Sequence, residues 1–424
     1  MLIKGQRLTV AAATVAALVL CTTVSSTAGS TATAGEAGVD AAAPVPAALG
    51  GWVGTWQTAP AAGVDNTPNG YPNHSIRNIV HTSIGGGTAR VRLSNAFGKS
   101  PLPISATVAV AESGTGPKAV AGTMRELTFG GAKTTTVPAG AEVVSDPVRL
   151  AVPADGDLLV TTFTPTPSGP VTYHPAAMQT SFFTRDGDKA AEESGTSFTE
   201  KTSVWHYVAG VDVLAPEVRG AVVALGDSIT DGVGGTASTN RRWPDHLADR
   251  LLARPRPRQL GVLNSGISAN RILLDGGNPS AGVNALARLD RDVLTSTGVR
   301  TMILLEGIND IQQTPHQTDP EQIIAGMRQI VLQAHARGIR VIGGTITPFK
   351  GWRTYDETLE ATRVKVNEAI RSGRIFDGVV DFDRAVRDPQ DPQKMRAEFD
   401  SGDRLHPGDA GFKAMADAID LALL

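Results

Sequence analysis

The chain has 424 residues, 41% of them apolar and 19% charged, with 39 Lys and Arg against 42 Asp and Glu for a formal charge of −3. That composition excludes a disordered chain, and the length points to two domains of ordinary size. Mild acidity without a basic cluster argues against nucleic acid as a partner, and 46 Gly with 26 Pro predict turn-rich β structure in part of the chain.

The first residues read as a targeting segment. Lys4 and Arg7 precede an apolar run from Leu8 to Leu20, and small residues then lead to Ala32-Thr33-Ala34, an A-x-A cleavage pattern. The run is shorter than the about 20 residues that a membrane span needs. Residues 1–34 are therefore expected to be a signal peptide of a secreted, extracellular protein with no stable membrane insertion. Cys21 follows Leu20 rather than the small residue of bacterial lipoprotein signals, which argues against lipidation. It is the only cysteine, so after cleavage the chain is expected to hold neither a disulfide nor a thiol nucleophile, at a formal charge of −5. Residues 35–49, rich in Ala, Gly and Pro, are expected to form a flexible leader.

From 50 to 215 the pattern is one of short alternating segments: Ala89, Val91 and Leu93; Ile104, Ala106, Val108 and Val110; Trp205, Tyr207, Ala209, Val211 and Val213. Turn clusters such as Gly85-Gly86-Gly87 and Ala154-Asp155-Gly156-Asp157 separate them. The spacing predicts an antiparallel β-sandwich or jelly-roll accessory domain. Its Trp52, Trp56, Tyr71, Trp205 and Tyr207 have two readings, stacking on the sugar rings of a polysaccharide or filling the sandwich core.

After Pro216 strands and helices alternate. Strands are expected at Ala221 to Leu225, Leu260 to Leu263, Thr301 to Leu305, Arg340 to Thr345 and Gly378 to Asp381. Helices are expected at Trp243 to Leu252, Val283 to Leu294, Glu321 to Arg337, Glu357 to Ser372 and Ala410 to Leu424, the last capped by Asp409. This rhythm builds a flavodoxin-like parallel sheet with helices on both faces over residues 216–424.

The stretch AVVALGDSIT, Ala221 to Thr230, is a buried strand stopping at a small polar turn, which sets Ser228 at the carboxyl end of a strand, where open α/β sheets bind ligands. A serine alone proves little. Asn264-Ser265-Gly266 follows the second strand, however, and Gly307-Ile308-Asn309-Asp310 follows the third. Near the C-terminus Asp403-Arg404-Leu405-His406 supplies a carboxylate three residues before an imidazole. These are the parts of an acyl-transfer site: nucleophile, base, base-orienting acid and oxyanion donors.

In order and spacing the four stretches resemble the blocks of the SGNH/GDSL hydrolase family (GDSL-like lipases and acylhydrolases), over about 219 to 424. The resemblance implies the SGNH hydrolase fold and makes Ser228 the nucleophile, His406 the general base and later acid, and Asp403 the residue that holds the imidazole. It assigns the oxyanion to the Ser228 and Gly266 N–H groups and the Asn309 side-chain amide. Asp227 and Asp310 read as structural. The implied protein is a secreted serine esterase, with small esters or O-acyl and O-acetyl carbohydrates as favoured substrates. Three other readings stay open: a lipase or phospholipase, a peptidase using the same triad, and a carbohydrate-binding adhesion protein with a vestigial hydrolase domain.

Cofactors are not implied. Gly232 to Ala237 spells G-x-G-x-x-A but does not start immediately after the strand, so it reads as a loop rimming the site rather than a dinucleotide cradle. His246, His316 and His335 lack metal-ligand spacing, and no G-x-S-x-G elbow surrounds Ser228.

Overall fold

The structure, a computed structural model, describes residues 50–63 and 69–424. The expected signal peptide and leader lie outside the described residues.

Five apolar side chains in a row, with no polar alternation, suit a strand buried on both faces. The run forms β1 (Ala221–Gly226), the centre of a parallel sheet with β2 (Gly261–Gly266), β3 (Val299–Leu305), β4 (Arg340–Gly344) and β5 (Gly378–Val380), in the order 2-1-3-4-5. That order reverses direction between β1 and β3, the point at which open sheets of this class bind ligands. Ala221, Val223 and Leu225 face one core cluster, while Val222 and Ala224 face another with Trp243, Leu247, Phe382 and Phe412.

The helices are α1 (Ser228–Asp231), α2 (Trp243–Leu252), α3 (Ala285–Leu289), α4 (Ile308–Gln312), α5 (Pro320–His335), α6 (Glu357–Arg371), α7 (Phe382–Val386) and α8 (Asp409–Asp417). Local chemistry sets their starts. Asp319 caps α5 with Pro320 as its first residue, and the Asp356 carboxylate accepts the Leu359 N–H at α6.

Two expected helices and one cap differ in detail, and two short helices come in addition. The helix expected over Val283 to Leu294 is α3 followed by a wider turn, Asp290–Leu294, in which buried Asp292 meets Arg288. Short helices α1 and α4 close directly on the ends of β1 and β3. The last helix ends at Asp417, and Gly408 rather than Asp409 is its cap, because the Asp409 carboxylate accepts the Thr236 N–H instead.

The N-terminal region is antiparallel, as expected. One sheet runs Trp52–Gln57, Val208–Leu214, Gly86–Ser94 and Glu142–Val144, with Val148–Val152 also on Gly86–Ser94. A larger one is centred on His74–Thr82, Gly156–Thr164 and Leu102–Val110. Residues Ala89, Val91, Leu93, Ile104, Ala106 and Val108 of the two sheets share one apolar core. The alternation expected from Trp205 to Val213 breaks at Tyr207, whose φ of 61° turns the chain from Trp205–His206, paired with Thr172–His174, into Val208–Leu214 of the first sheet.

Trp56, Trp205 and Tyr207 are 7%, 5% and 1% exposed, and the two indoles meet edge to face at 5.0 Å. These three rings fill the core, which removes them from the sugar-stacking reading. The first sheet packs directly on the α/β region: Gly54 of its first strand lies against Leu263, and its N–H donates to the Thr297 carbonyl at 3.0 Å.

Candidate active site

β1 ends in a turn that only glycine permits. A Cβ on Gly226 would meet Thr230 Oγ1 at 2.1 Å and the Leu305 carbonyl at 2.7 Å, so the chain can fold straight into α1 above the strand end. Asp227 caps α1, accepting the Ile229 N–H at 2.9 Å, and Ser228 is the first helical residue, whose N–H has no intrahelical acceptor.

Ser228 Oγ lies 2.8 Å from His406 Nε2, and His406 Nδ1 lies 2.6 Å from Asp403 Oδ2. A carboxylate only accepts, so Nδ1 carries the hydrogen and Nε2 is free to accept from the serine hydroxyl. Asp403 Oδ1 also accepts the His406 and Leu405 N–H groups at 2.8 and 2.9 Å. Partial burial alone would raise the Asp403 carboxyl, but the His406 ring and these two N–H groups outweigh it and hold the group below its ordinary value. Ser228 and His406 are 6% and 9% exposed.

Both open into a cavity of about 580 Å³ whose wall includes Val233, Ser268, Ala269, Asn309, Gln312 and Trp352. Asn309 stands at the head of α4 beyond β3. Its Oδ1 accepts Gln312 Nε2–H at 2.7 Å, whereas its buried Nδ2 has no partner among the described residues. An unpaired buried amide on a cavity wall is costly unless something within the cavity accepts from it. Val233 brings the Gly232-to-Ala237 run onto the same wall, where that run was expected to rim the site.

Gly266 differs from expectation. Its N–H already donates to Asn264 Oδ1 at 2.8 Å, and a Cβ there would meet the Asp231 N at 2.4 Å, so this glycine serves close packing of β2 against α1. The backbone that lines the cavity lies three residues on, at Ala269, whose φ of 68° turns the chain and whose N–H finds no acceptor among the described residues.

Beneath the turn lies a buried polar cluster. Burial, with the Asp310 and Asp231 carboxylates nearby, pushes Asp227 up to about 7 against the pull of the Ile229 N–H. Burial raises Glu306 as well. Asp310 accepts the Ile272 and Leu273 N–H groups and so braces the chain beyond β2. Arg288, 1% exposed, ties the strand ends together by donating to the Gly226 and Ser265 carbonyls at 3.0 and 2.7 Å.

Sequence reasoning missed Ala269, Gln312 and Trp352. Gln312 had a signal, since it lies one helical turn beyond Asn309. Ala269 had a weaker one, in the polar loop after β2, and Trp352 had none. Among the described residues no group of three or more His, Cys, Asp and Glu is arranged to hold a metal ion, and no helix is long and apolar enough to cross a membrane.

Residues 224–414 match the family model of the GDSL-like Lipase/Acylhydrolase family. No curated protein matches the chain. Among solved structures, Est24, a carbohydrate acetylesterase from Sinorhizobium meliloti, is 19% identical over 47% of this chain and 95% of its own, with a TM-score of 0.37. The M. smegmatis aryl esterase is 20% identical over 47% of this chain and 95% of its own, also with a TM-score of 0.37. The matched residues run from within β1 into α8 and take in Ser228, Asn309, Asp403 and His406, so residues 224–414 form a GDSL-like lipase/acylhydrolase domain and the protein is a carboxylic ester hydrolase.

Proposed function

We propose that Ser228 is the nucleophile of a serine esterase that works through an acyl-enzyme, with His406 as general base and then general acid and Asp403 holding its ring. The observation that carries this reading is the unbroken row from Ser228 Oγ through the His406 ring to Asp403 at 2.8 and 2.6 Å. His406 Nε2 takes the hydroxyl proton as Oγ attacks the ester carbonyl, and the charge that develops on the carbonyl oxygen is met by N–H groups. Those groups are the Ser228 N–H, the Asn309 amide and the Ala269 N–H, the last in place of Gly266. The alcohol leaves with the proton from Nε2. Water activated by the same nitrogen then releases the acid and restores Ser228.

The cavity wall favours a short acyl group on a polar alcohol. Ser268, Asn278, Gln312, Gln313, Thr314 and Thr354 line it, interleaved with the apolar Val233, Ala269, Trp352 and Leu405. A long acyl chain needs a continuous apolar wall, whereas an O-acetyl carbohydrate needs polar partners at fixed points. Export, read from Lys4, Arg7 and the Leu8–Leu20 run, belongs to the same proposal and fits an extracellular polymer as substrate.

The test is turnover of p-nitrophenyl esters from acetate to palmitate and of acetylated xylan, with Ser228→Ala beside the native protein. The expected result is preference for acetate, acetate release from the polymer, and a loss on the order of 10⁶ in kcat in the variant. Turnover that survives in Ser228→Ala overturns the mechanism, and preference for palmitate overturns the substrate class in favour of a lipase.

A further inference from the structure

His174, at the end of the antiparallel strand Thr172–His174, is 1% exposed, yet it makes two polar contacts that reach the nucleophile turn. Its Nδ1 lies 2.8 Å from the Ala59 carbonyl oxygen and its Nε2 lies 2.9 Å from Asp231 Oδ1. Carbonyl and carboxylate oxygens only accept, so both ring nitrogens must carry hydrogens and the ring is an imidazolium.

Asp231 is the last residue of α1, the helix that begins with Ser228. Its other oxygen, Oδ2, accepts the Ser268 N–H at 2.9 Å and the Ser268 hydroxyl at 2.6 Å. One carboxylate thus joins a cation of the antiparallel region, the helix of Ser228 and the turn that carries Ala269 on the cavity wall. The groups facing His174 are Asp231 from α1, Arg242 from the start of α2, the Ala59 carbonyl and the Trp205 ring at 5.5 Å. Burial alone would favour the neutral ring and Arg242 opposes its charge, but Asp231 and the two hydrogen bonds outweigh both and raise the group.

A buried ion pair is a weak stabiliser, because desolvation offsets its attraction and apolar side chains of like volume serve a core as well. Stability alone is therefore a weak reason for this pair. An apolar replacement would also leave the Ser268 N–H and hydroxyl without their acceptor, at a site where backbone must be held in a left-handed turn.

We propose that His174 and Asp231 are positioning residues for ester hydrolysis: protonated His174 fixes the Asp231 carboxylate, which in turn holds the Ser268–Ala269 turn and its N–H in place beside Ser228. This rests on the reading of Ser228 given above. It makes the antiparallel region a working part of the active site rather than an attached module.

The experiment compares His174→Gln, Ser268→Ala and Ser228→Ala with the native protein. It measures kcat and KM on p-nitrophenyl acetate per active site titrated with a fluorophosphonate, with tryptophan fluorescence as the check on folding. His174→Gln is expected to lower kcat per titrated site about 10- to 100-fold with KM little changed, the signature of a misplaced donor. Ser268→Ala, which strands no buried charge, is expected to lower kcat several-fold with the same split and keeps the test decisive if His174→Gln fails to fold. A merely structural role would reduce the number of titrated sites and leave kcat per site unchanged. That outcome in the folded variants, with Ser228→Ala inactive, overturns the positioning role alone. Turnover by Ser228→Ala removes the nucleophile reading and this proposal together.

Discussion

Gln312 donates Nε2–H to Asn309 Oδ1 at 2.7 Å, while its own Oε1 accepts the Trp352 indole N–H at 2.9 Å and the Thr354 hydroxyl at 3.0 Å. This chain decides which end of the Asn309 carboxamide is left for the cavity: the oxygen is taken and the amino group is free to donate. Asn309→Ala should therefore cost about 10² to 10³ in kcat, roughly 2.7 to 4 kcal/mol, with KM nearly unchanged. Gln312→Ala keeps the donor but lets the amide rotate, and a smaller loss of about tenfold in kcat is expected. Steady-state kinetics on p-nitrophenyl acetate check both, and an equal loss in the two variants would contradict the orienting role of Gln312.

Asp403 controls the tautomer of His406. The Nδ1–H is committed to its carboxylate, which also takes two backbone N–H groups. Asn in its place can offer an N–H to Nδ1, and the ring then carries its hydrogen on Nε2, facing Ser228. Asp403→Asn is expected to lower kcat by about 10⁴ while the fold survives. Retention of more than a tenth of the native kcat would show that the ring is held by other means.

Asp227 links the site to stability through pH. Its folded value is about 7 against an ordinary 3.8, a shift caused first by burial and reinforced by Asp310 and Asp231. A raised group contributes stability that is fully present below the unfolded value and is lost as pH rises through the folded one. The native protein should thus lose stability between about pH 4 and pH 7 from this group. Asp227→Asn keeps the capping oxygen without an ionisable proton, so it should be the more stable protein at pH 8 by on the order of a few kcal/mol, with little difference at pH 4. Urea unfolding at the two pH values checks the sign.

Arg288 is the buried cation under the strand ends. It pairs with Asp292 at 3.0 Å and approaches Glu306 at 3.5 Å, besides its carbonyl partners. Arg288→Met removes one member of a buried network and strands the other, for which about 3 to 5 kcal/mol is expected in urea unfolding. A loss below about 1 kcal/mol would mean that Arg291, which also reaches Asp292, suffices.

Much of this protein was legible in the chain itself. The apolar run of β1 and the helix limits Trp243 to Leu252 follow from local pattern, because burial on both faces or on one stripe leaves a period in the sequence. Ser228 and Asn309 were legible for the same reason, since each sits just past a predicted strand, whereas Asp403 and His406 were brought to the site by the resemblance of their four-residue group to a block of the GDSL-like family. The role given to Gly266 went wrong because a glycine at a strand end suits both a donor and a close contact. Only the packing of Gly266 against the Asp231 backbone, with Asn264 taking its N–H, separates the two. The change of sheet at Tyr207, the orienting chain from Trp352 to Asn309 and the pair of His174 with Asp231 depend on tertiary structure. The first is one backbone angle, and the contacts of Trp352 with Gln312 and of His174 with Asp231 are single hydrogen bonds between residues 40 and 57 positions apart, none of which imposes a period or composition on the sequence.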